Sequence, residues 1–257
     1  MNVLFKELDA ILEPLKIGEK RFVDLPRGTW IFRGQAMKYC CDHEHVSDLI
    51  PKVGRNNFTV GTEYEMYENF KRTLPGFGES VSKGNSWQLL ALAQHHGLPT
   101  RLLDWTYNPL TALFFAVEKA GTNPGSDGII YALKTGEKTG ILSTPKNSVK
   151  NIPAYHKHND VPENFPQRAQ RYDAPHVSKR ITAQEGLFVW FPHPDKCLSA
   201  QVPDKWEIKY NSINADKKEH LMKCLNSLGF SYDRLYADLG GVALTLTWRL
   251  MNDGMEK

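Results

Sequence analysis

No stretch of this chain approaches the roughly 18 consecutive apolar residues that a membrane-spanning helix needs. No Gly/Ser/Pro-rich linker divides its 257 residues either. Cysteine is sparse: Cys40, Cys41, Cys197 and Cys224 are the four, without a Cys-x-x-Cys pair, so no disulfide framework is implied. An excess of one charge is also missing, since 32 Lys and Arg stand against 29 Asp and Glu. A net charge of +3 does not announce a nucleic-acid binder. The opening "MNVLFKELDAILEPLK" lacks the basic-then-apolar order of a secretion signal and reads as an amphipathic helix. A cytoplasmic protein is therefore expected, with a helical lead-in over residues 1–27.

What remains is an ordinary globular composition, 41% hydrophobic and 24% charged, without internal repeats and long enough for one large domain. Two stretches invite a ligand and give weak signals. Cys41, His43 and His45 stand close together, but no second cluster completes zinc spacing, so no metal is expected. Between Lys146 and Arg180 seven Lys or Arg meet three Asp or Glu, with His156, His158 and His176 among them. That stretch is either a solvated loop or a patch for an anionic partner.

Periodicity sets the order of elements. "TWIF" is a short strand after the turn signal "LPRG", and Lys38 to Phe58 reads as a polar loop. "TEYEMYENFKRTL" has helical spacing. Helices are expected over Trp87–His96 and Leu110–Ala120, with an extended "TRLLD" between them. "GIIYAL" and "GLFVWF" are buried strands, and Lys138–Lys179 reads mostly as loop. "DKKEHLMKCLNSLGF" is a helix stopped at Gly229. "ADLGGVALTLTWRLM" closes as a helix or a strand. The fold class is α+β in a single domain, with a mixed or antiparallel central sheet flanked by helices.

The residues that carry chemistry cluster in two places. Arg33 follows the strand "TWIF" directly and Gly34 follows Arg33, where a glycine lets the chain turn or lets another backbone come close. In "QHHGLPTRLLDWT", Gln94, His95, His96, Arg101 and Asp104 gather two imidazoles, a cation and a carboxylate within eleven positions. There an Arg101–Asp104 pair could staple a buried turn under Trp105. Arg33 could equally pair with Asp104.

The blocks "IFRGQ", "AQHHGLPTRLLDWTYNPLTALFFA", "RITAQEGLFVWF" and "SLGFSYDRLYADLGGVALTL" resemble the successive motifs of the FRG domain, named for its (Phe/Tyr)-Arg-Gly signature, here Phe32-Arg33-Gly34. The resemblance runs over residues 28–250 and leaves 251–257 as a tail. Two departures stand out. The family tends to Gln-Gln-Gly where this chain has Gln184-Glu185-Gly186, and to Pro-Asp-Leu-Asp-Gly where it has Ala237 to Gly241. The order of the blocks is also similar, more distantly, to ADP-ribosyltransferases of the Arg–Ser–Glu type. That likeness implies a split sheet and NAD as substrate. Arg33 would hold the diphosphate, Thr106 or Thr100 would supply the hydroxyl, and Glu185 would be the catalytic carboxylate, with Gln184 as its amide alternative. Gly34, Gln35, His95, His96, Arg101, Asp104, Thr106 and Asn108 complete the expected nucleotide contacts. The implied activity is an NAD-consuming transferase acting on a protein or nucleic-acid acceptor, in the manner of a toxin or phage-defence effector. Two alternatives stay open: a nucleotide- or nucleic-acid-binding module without turnover, and a metal-independent nuclease using His95 or His96 as base with Arg33 or Arg101 at the phosphate.

Overall fold

Apolar and alternating segments pair into one antiparallel sheet, and its two faces are covered unequally. The computed structural model describes residues 11–17, 20–21, 25, 28–36, 49–55, 59–79, 86–118, 125–135, 163, 165–175 and 178–253. Its strands are β1 (Lys16–Ile17), β2 (Lys20–Arg21), β3 (Trp30–Gln35), β4 (Leu102–Thr106), β5 (Gly128–Lys134), β6 (Gln170–Tyr172), β7 (Gly186–Trp190) and β8 (Glu207–Ile213). The first two make a minimal antiparallel pair, and the other six form a sheet in the order β6-β7-β4-β3-β5-β8. Helices are α1 (Lys52–Arg55), α2 (Val60–Thr73), α3 (Ser86–His95), α4 (Pro109–Val117), α5 (Lys179–Ala183), α6 (Lys218–Ser227), α7 (Tyr232–Tyr236) and α8 (Leu239–Asp253). This is the expected α+β class, and every sheet pairing is antiparallel. No helix of the described residues is long and apolar enough to cross a membrane.

Strand alternation sorts the sheet's side chains between two faces. Ile31, Leu103, Trp105, Ile129, Tyr131, Leu133, Leu187 and Val189 share one continuous core on the second face. The first face carries two separate cores. One gathers Trp30, Phe32, Ile130 and Ala132 beneath α4, α6 and α7. The other gathers Leu102, Phe188 and Trp190 beneath α2 and α3. Between these cores the strands present Gly34, Asp104, Thr106 and Gly186, which are too small or too polar to fill an apolar layer.

Helix α4 begins with Asn108, whose side chain accepts from the Leu110 N–H, followed by Pro109 at the first helical position. That is a well-formed start, since the cap satisfies an otherwise open donor and Pro lacks one. The helix then lies directly on glycine backbone. A Cβ built on Gly34 would stand 1.8 Å from the Ala112 carbonyl oxygen, and one on Gly128 would stand 2.1 Å from that of Ala116. The glycine of the Phe-Arg-Gly triplet thus serves a close approach and makes no turn, because β3 continues through Gly34 to Gln35.

Sequence expectations and structure differ mainly at polar elements. The helix called over "TEYEMYENFKRTL" starts at Val60, capped by Thr59. The segment "TRLLD" is the start of a central strand, and "ADLGGVALTLTWRLM" is helical from Leu239. Strand β8, "EIKYNSI", escapes notice because an edge strand with exposed Tyr210 and Ser212 lacks an apolar run. Residues 1–10, the Cys40–His45 cluster and positions 146–162 of the basic stretch lie outside the described residues.

Gly34→Ala tests the glycine contact. The added methyl meets a helix carbonyl that has nowhere to go, so the loss should reach or exceed the upper end of the about 1–3 kcal/mol of ordinary overpacking. Denaturant unfolding of the variant measures it, and near-native stability would mean that α4 is not seated on β3.

Candidate active site

The site begins where the sheet parts. All six residues of β3 pair with β5, whereas among the described residues β3 meets β4 at one paired position, Phe32 with Thr106. Beyond that rung the two strands separate. Arg33 stands at the fork, where its Nη1 donates to the Asp104 carbonyl at 2.7 Å. A guanidinium therefore bridges to β4 just past the last backbone rung. The Arg33–Asp104 contact is made to backbone, while the Asp104 carboxylate accepts from Gln94 Nε2 at 3.0 Å.

A cavity of about 530 Å³ opens over this parting, within the range of roughly 300–1,000 Å³ typical of ligand sites. Its floor includes Gly34, Asp104, Thr106 and Gly186, the residues that separate the two cores. One wall comes from the end of α3, with Gln94 and His95. The other comes from α4, α5 and α7, with Phe115, Glu118, Arg180 and Tyr236. Lys52 of α1 stands at the lining and donates to the Gly97 carbonyl at 3.0 Å. Cations and carboxylates thus share one concave space.

Ionisation follows from that mixture. Burial first, then the neighbouring His96 and Arg180, hold His95 below the usual imidazole range, against the opposite pull of Asp238 and Glu79. The shift favours the neutral imidazole of His95 over the cation. Glu118 is pushed the other way. Burial raises it from 4.5 to about 7, although the Tyr236 hydroxyl and the Arg180 charge both favour its ionised form. Tyr236 donates to Glu118 Oε2 at 3.0 Å, and the Arg180 guanidinium lies 4.7 Å from the centre of the Tyr236 ring.

Several of the residues singled out in the sequence lie along this cavity. Arg33, Gly34, Gln35, Gln94, His95, Asp104, Thr106 and Gln184 all line the cavity. The Thr106 hydroxyl donates to the Gln184 carbonyl at 2.6 Å and accepts from the Asn108 N–H, so its proton is already committed to joining β4 to α5. Thr100 is buried, and its hydroxyl supports Gln94 at 2.6 Å. His96 is exposed beside His95.

Two expectations need correction. Arg101 does not pair with Asp104. Its side chain is fully buried and grips Glu63 of α2, with Nε 3.1 Å from Oε1 and Nη2 2.5 Å from Oε2. It is a staple between β4 and α2, too deep to reach a ligand. Glu185 is absent from the cavity lining. It adopts a left-handed backbone, φ 49°, and its Oε1 accepts from Asn108 Nδ2 at 3.0 Å. Glu185 therefore steadies the amide that caps α4. A glutamine there would accept the same bond.

Glu118 and Tyr236 were not singled out in the sequence, whereas Arg180 closes the basic stretch and Phe115 lies in the apolar block "LTALFFA". Glu118 follows the apolar run "LFFAV" as any helix-ending acid might, and Arg180 and Tyr236 lie more than 50 residues beyond it. Among the described residues no group of three or more His, Cys, Asp or Glu could hold a metal ion.

Residues 28–124 match the family model of the FRG domain. The matched segment includes β3, β4 and α4, the elements that form the fork and the helix seated on it. No curated protein and no solved structure matches the chain.

Three substitutions separate structural carboxylates from the cavity. Glu63→Gln leaves Arg101 buried without its counter-charge, and should lower unfolding stability by about 3–5 kcal/mol. Glu185→Gln should leave the melting temperature and ligand affinity close to wild type, because an amide oxygen still accepts from Asn108. Glu185→Ala should cost about 1 kcal/mol, the usual net worth of one such bond.

Proposed function

We propose that the cavity takes a nucleotide diphosphate and that the protein is an NAD-consuming transferase. One observation carries this reading: an arginine held at the fork of a parted sheet lines the same cavity as a carboxylate and aromatic rings. A guanidinium grips a pyrophosphate through paired, charge-assisted hydrogen bonds, and Arg33 reaches the cavity from a position that its bond to Asp104 fixes. Arg180 and Lys52 add positive charge to the same lining, which suits a dianionic linker. Phe115 and Tyr236, whose ring centres lie 6.3 Å apart, offer flat apolar surface to a heteroaromatic ring.

The carboxylates supply the second half of the chemistry. Breaking a nicotinamide–ribose bond develops positive charge on the sugar, which a nearby anion stabilises more in the transition state than in the ground state. Among the described residues, Asp104 and Glu118 are the acids of the lining. With Arg101 locked to Glu63, a nuclease reading loses one of its two phosphate-gripping arginines, and His95 alone does not restore it. The released ADP-ribose would pass to a macromolecular hydroxyl or to water.

Incubation with NAD, following free nicotinamide, tests the proposal. Wild type should release nicotinamide well above the buffer blank. Arg33→Lys should keep its melting temperature and lose at least tenfold in NAD affinity, since charge is kept but the planar fork is lost. Binding of NAD without any nicotinamide release would replace the enzyme with a binding module, and no binding at all would remove NAD from consideration.

A further inference from the structure

Glu118 is the acid of the cavity whose surroundings oppose its charge. It ends α4, with its N–H bonded to the Phe114 carbonyl at 2.9 Å, so its carboxylate stands at the negative end of a helix. Its side chain is turned into the lining beside Phe115, and its described polar partner is the Tyr236 hydroxyl. The charged and titratable groups lining the same cavity are Arg33 on β3, Lys52 on α1, His95 on α3, Asp104 on β4, Arg180 on α5 and Tyr236 on α7. Of these, Arg180 and Tyr236 act on it appreciably, and both favour its ionised form.

We propose that Glu118 is the proton acceptor of the transfer, taking the proton of an attacking hydroxyl as nicotinamide leaves. The role rests on the NAD reading given above. In the step, the bond between the ribose carbon and the ring nitrogen breaks, and its electron pair neutralises the pyridinium. The oxygen of water or of an acceptor hydroxyl bonds to the same carbon, and its proton passes to the Glu118 carboxylate. Charge and atoms balance without a further reactant. Tyr236 is the positioning residue: its hydroxyl donates to Oε2 and leaves Oε1 for the incoming proton. Arg180, over the Tyr236 ring, holds that phenol in place.

Burial outweighs both partners and brings Glu118 to about 7, which suits an acceptor that must ionise at neutral pH and still bind a proton. Stability responds with a definite sign. A carboxyl raised on folding favours the native state at low pH, and that contribution is lost as pH rises from 4.5 towards about 7. Glu118→Gln removes the charge and keeps the acceptor for Tyr236. It should therefore melt higher than wild type at about pH 8 and alike at about pH 4.

The experiment combines those melts with nicotinamide release from NAD at pH values across the neutral range. It uses wild type, Glu118→Gln and Tyr236→Phe, and NAD affinity is measured by calorimetry. Wild-type rates should climb with pH and level off above about 7, following ionised Glu118. Glu118→Gln should lose about 100-fold or more in rate while binding NAD nearly as before. Tyr236→Phe should move the bend to higher pH, because it removes a hydrogen bond that favours the carboxylate. A Glu118→Gln protein that consumes NAD at the wild-type rate and bend overturns the role of Glu118 and leaves the NAD reading standing. Equal melting of Glu118→Gln and wild type at both pH values also overturns it. A wild type that releases no nicotinamide at any pH overturns the NAD reading and this role together.

Discussion

Helix α4 resting on bare backbone is the constraint from which the site follows. Its carbonyls at Ala112 and Ala116 occupy the space where side chains of Gly34 and Gly128 would be, so the helix sits closer to β3 and β5 than ordinary packing allows. That seating is fixed at both ends of α4. Asn108 caps its start under the hold of Glu185, and Glu118 closes its last turn at the cavity. Since Arg33 is the residue before Gly34, the same contact that fixes the helix also fixes the strand position from which the guanidinium reaches β4. The Arg-Gly pair is thus one device: the glycine sets the helix, and the arginine spans the gap beside it.

Three arginines show how burial and partners assign different work to one residue type. Arg101 has no exposed surface and a bidentate carboxylate partner, which makes it a structural tie whose removal strands a charge. Arg171, 4% exposed, donates to the Gly28 carbonyl and the Thr135 hydroxyl and stands near Asp173. It anchors edge strand β6 to residues flanking β3 and β5. Arg33 is partly buried and bonds a main-chain carbonyl at the lip of a cavity. Backbone is a neutral partner, so the positive charge of Arg33 is positioned by that bond and not neutralised by it.

The inner strands β3, β4, β5 and β7 were legible because they carry apolar residues, unlike edge strands β6 and β8, and α4 because "NPLTALFFA" carries its own cap and proline. Arg33 was legible as well, since a cation after "WIF" conflicts with the strand's pattern. The pairings were not. Glu63 lies 38 positions before Arg101 on a helix whose acids all look solvent-facing, and nothing in "TEYEMYENF" distinguishes Glu63 from Glu65. Glu185 misled for a related reason. A carboxylate before a buried strand suggests a site in sequence, yet its left-handed backbone turns the side chain to Asn108. Glu118, the cavity acid that the sequence did not single out, lies at the end of an apolar helix, where an acid is the commonest of sights.

The cavity exists because the first face of the sheet supports two cores rather than one. Apolar residues on β3 and β5 bind α4, α6 and α7, and those on β4 and β7 bind α2 and α3. A continuous apolar layer would have drawn the two groups of helices together and sealed the sheet. Gly34, Asp104, Thr106 and Gly186 interrupt that layer where β3 and β4 separate, so the polar floor and the missing rungs coincide. Backbone groups without a strand partner need other partners there, because unpaired ones are costly to bury. Arg33, which donates to the Asp104 carbonyl, takes the place of one backbone rung that the parted strands do not make.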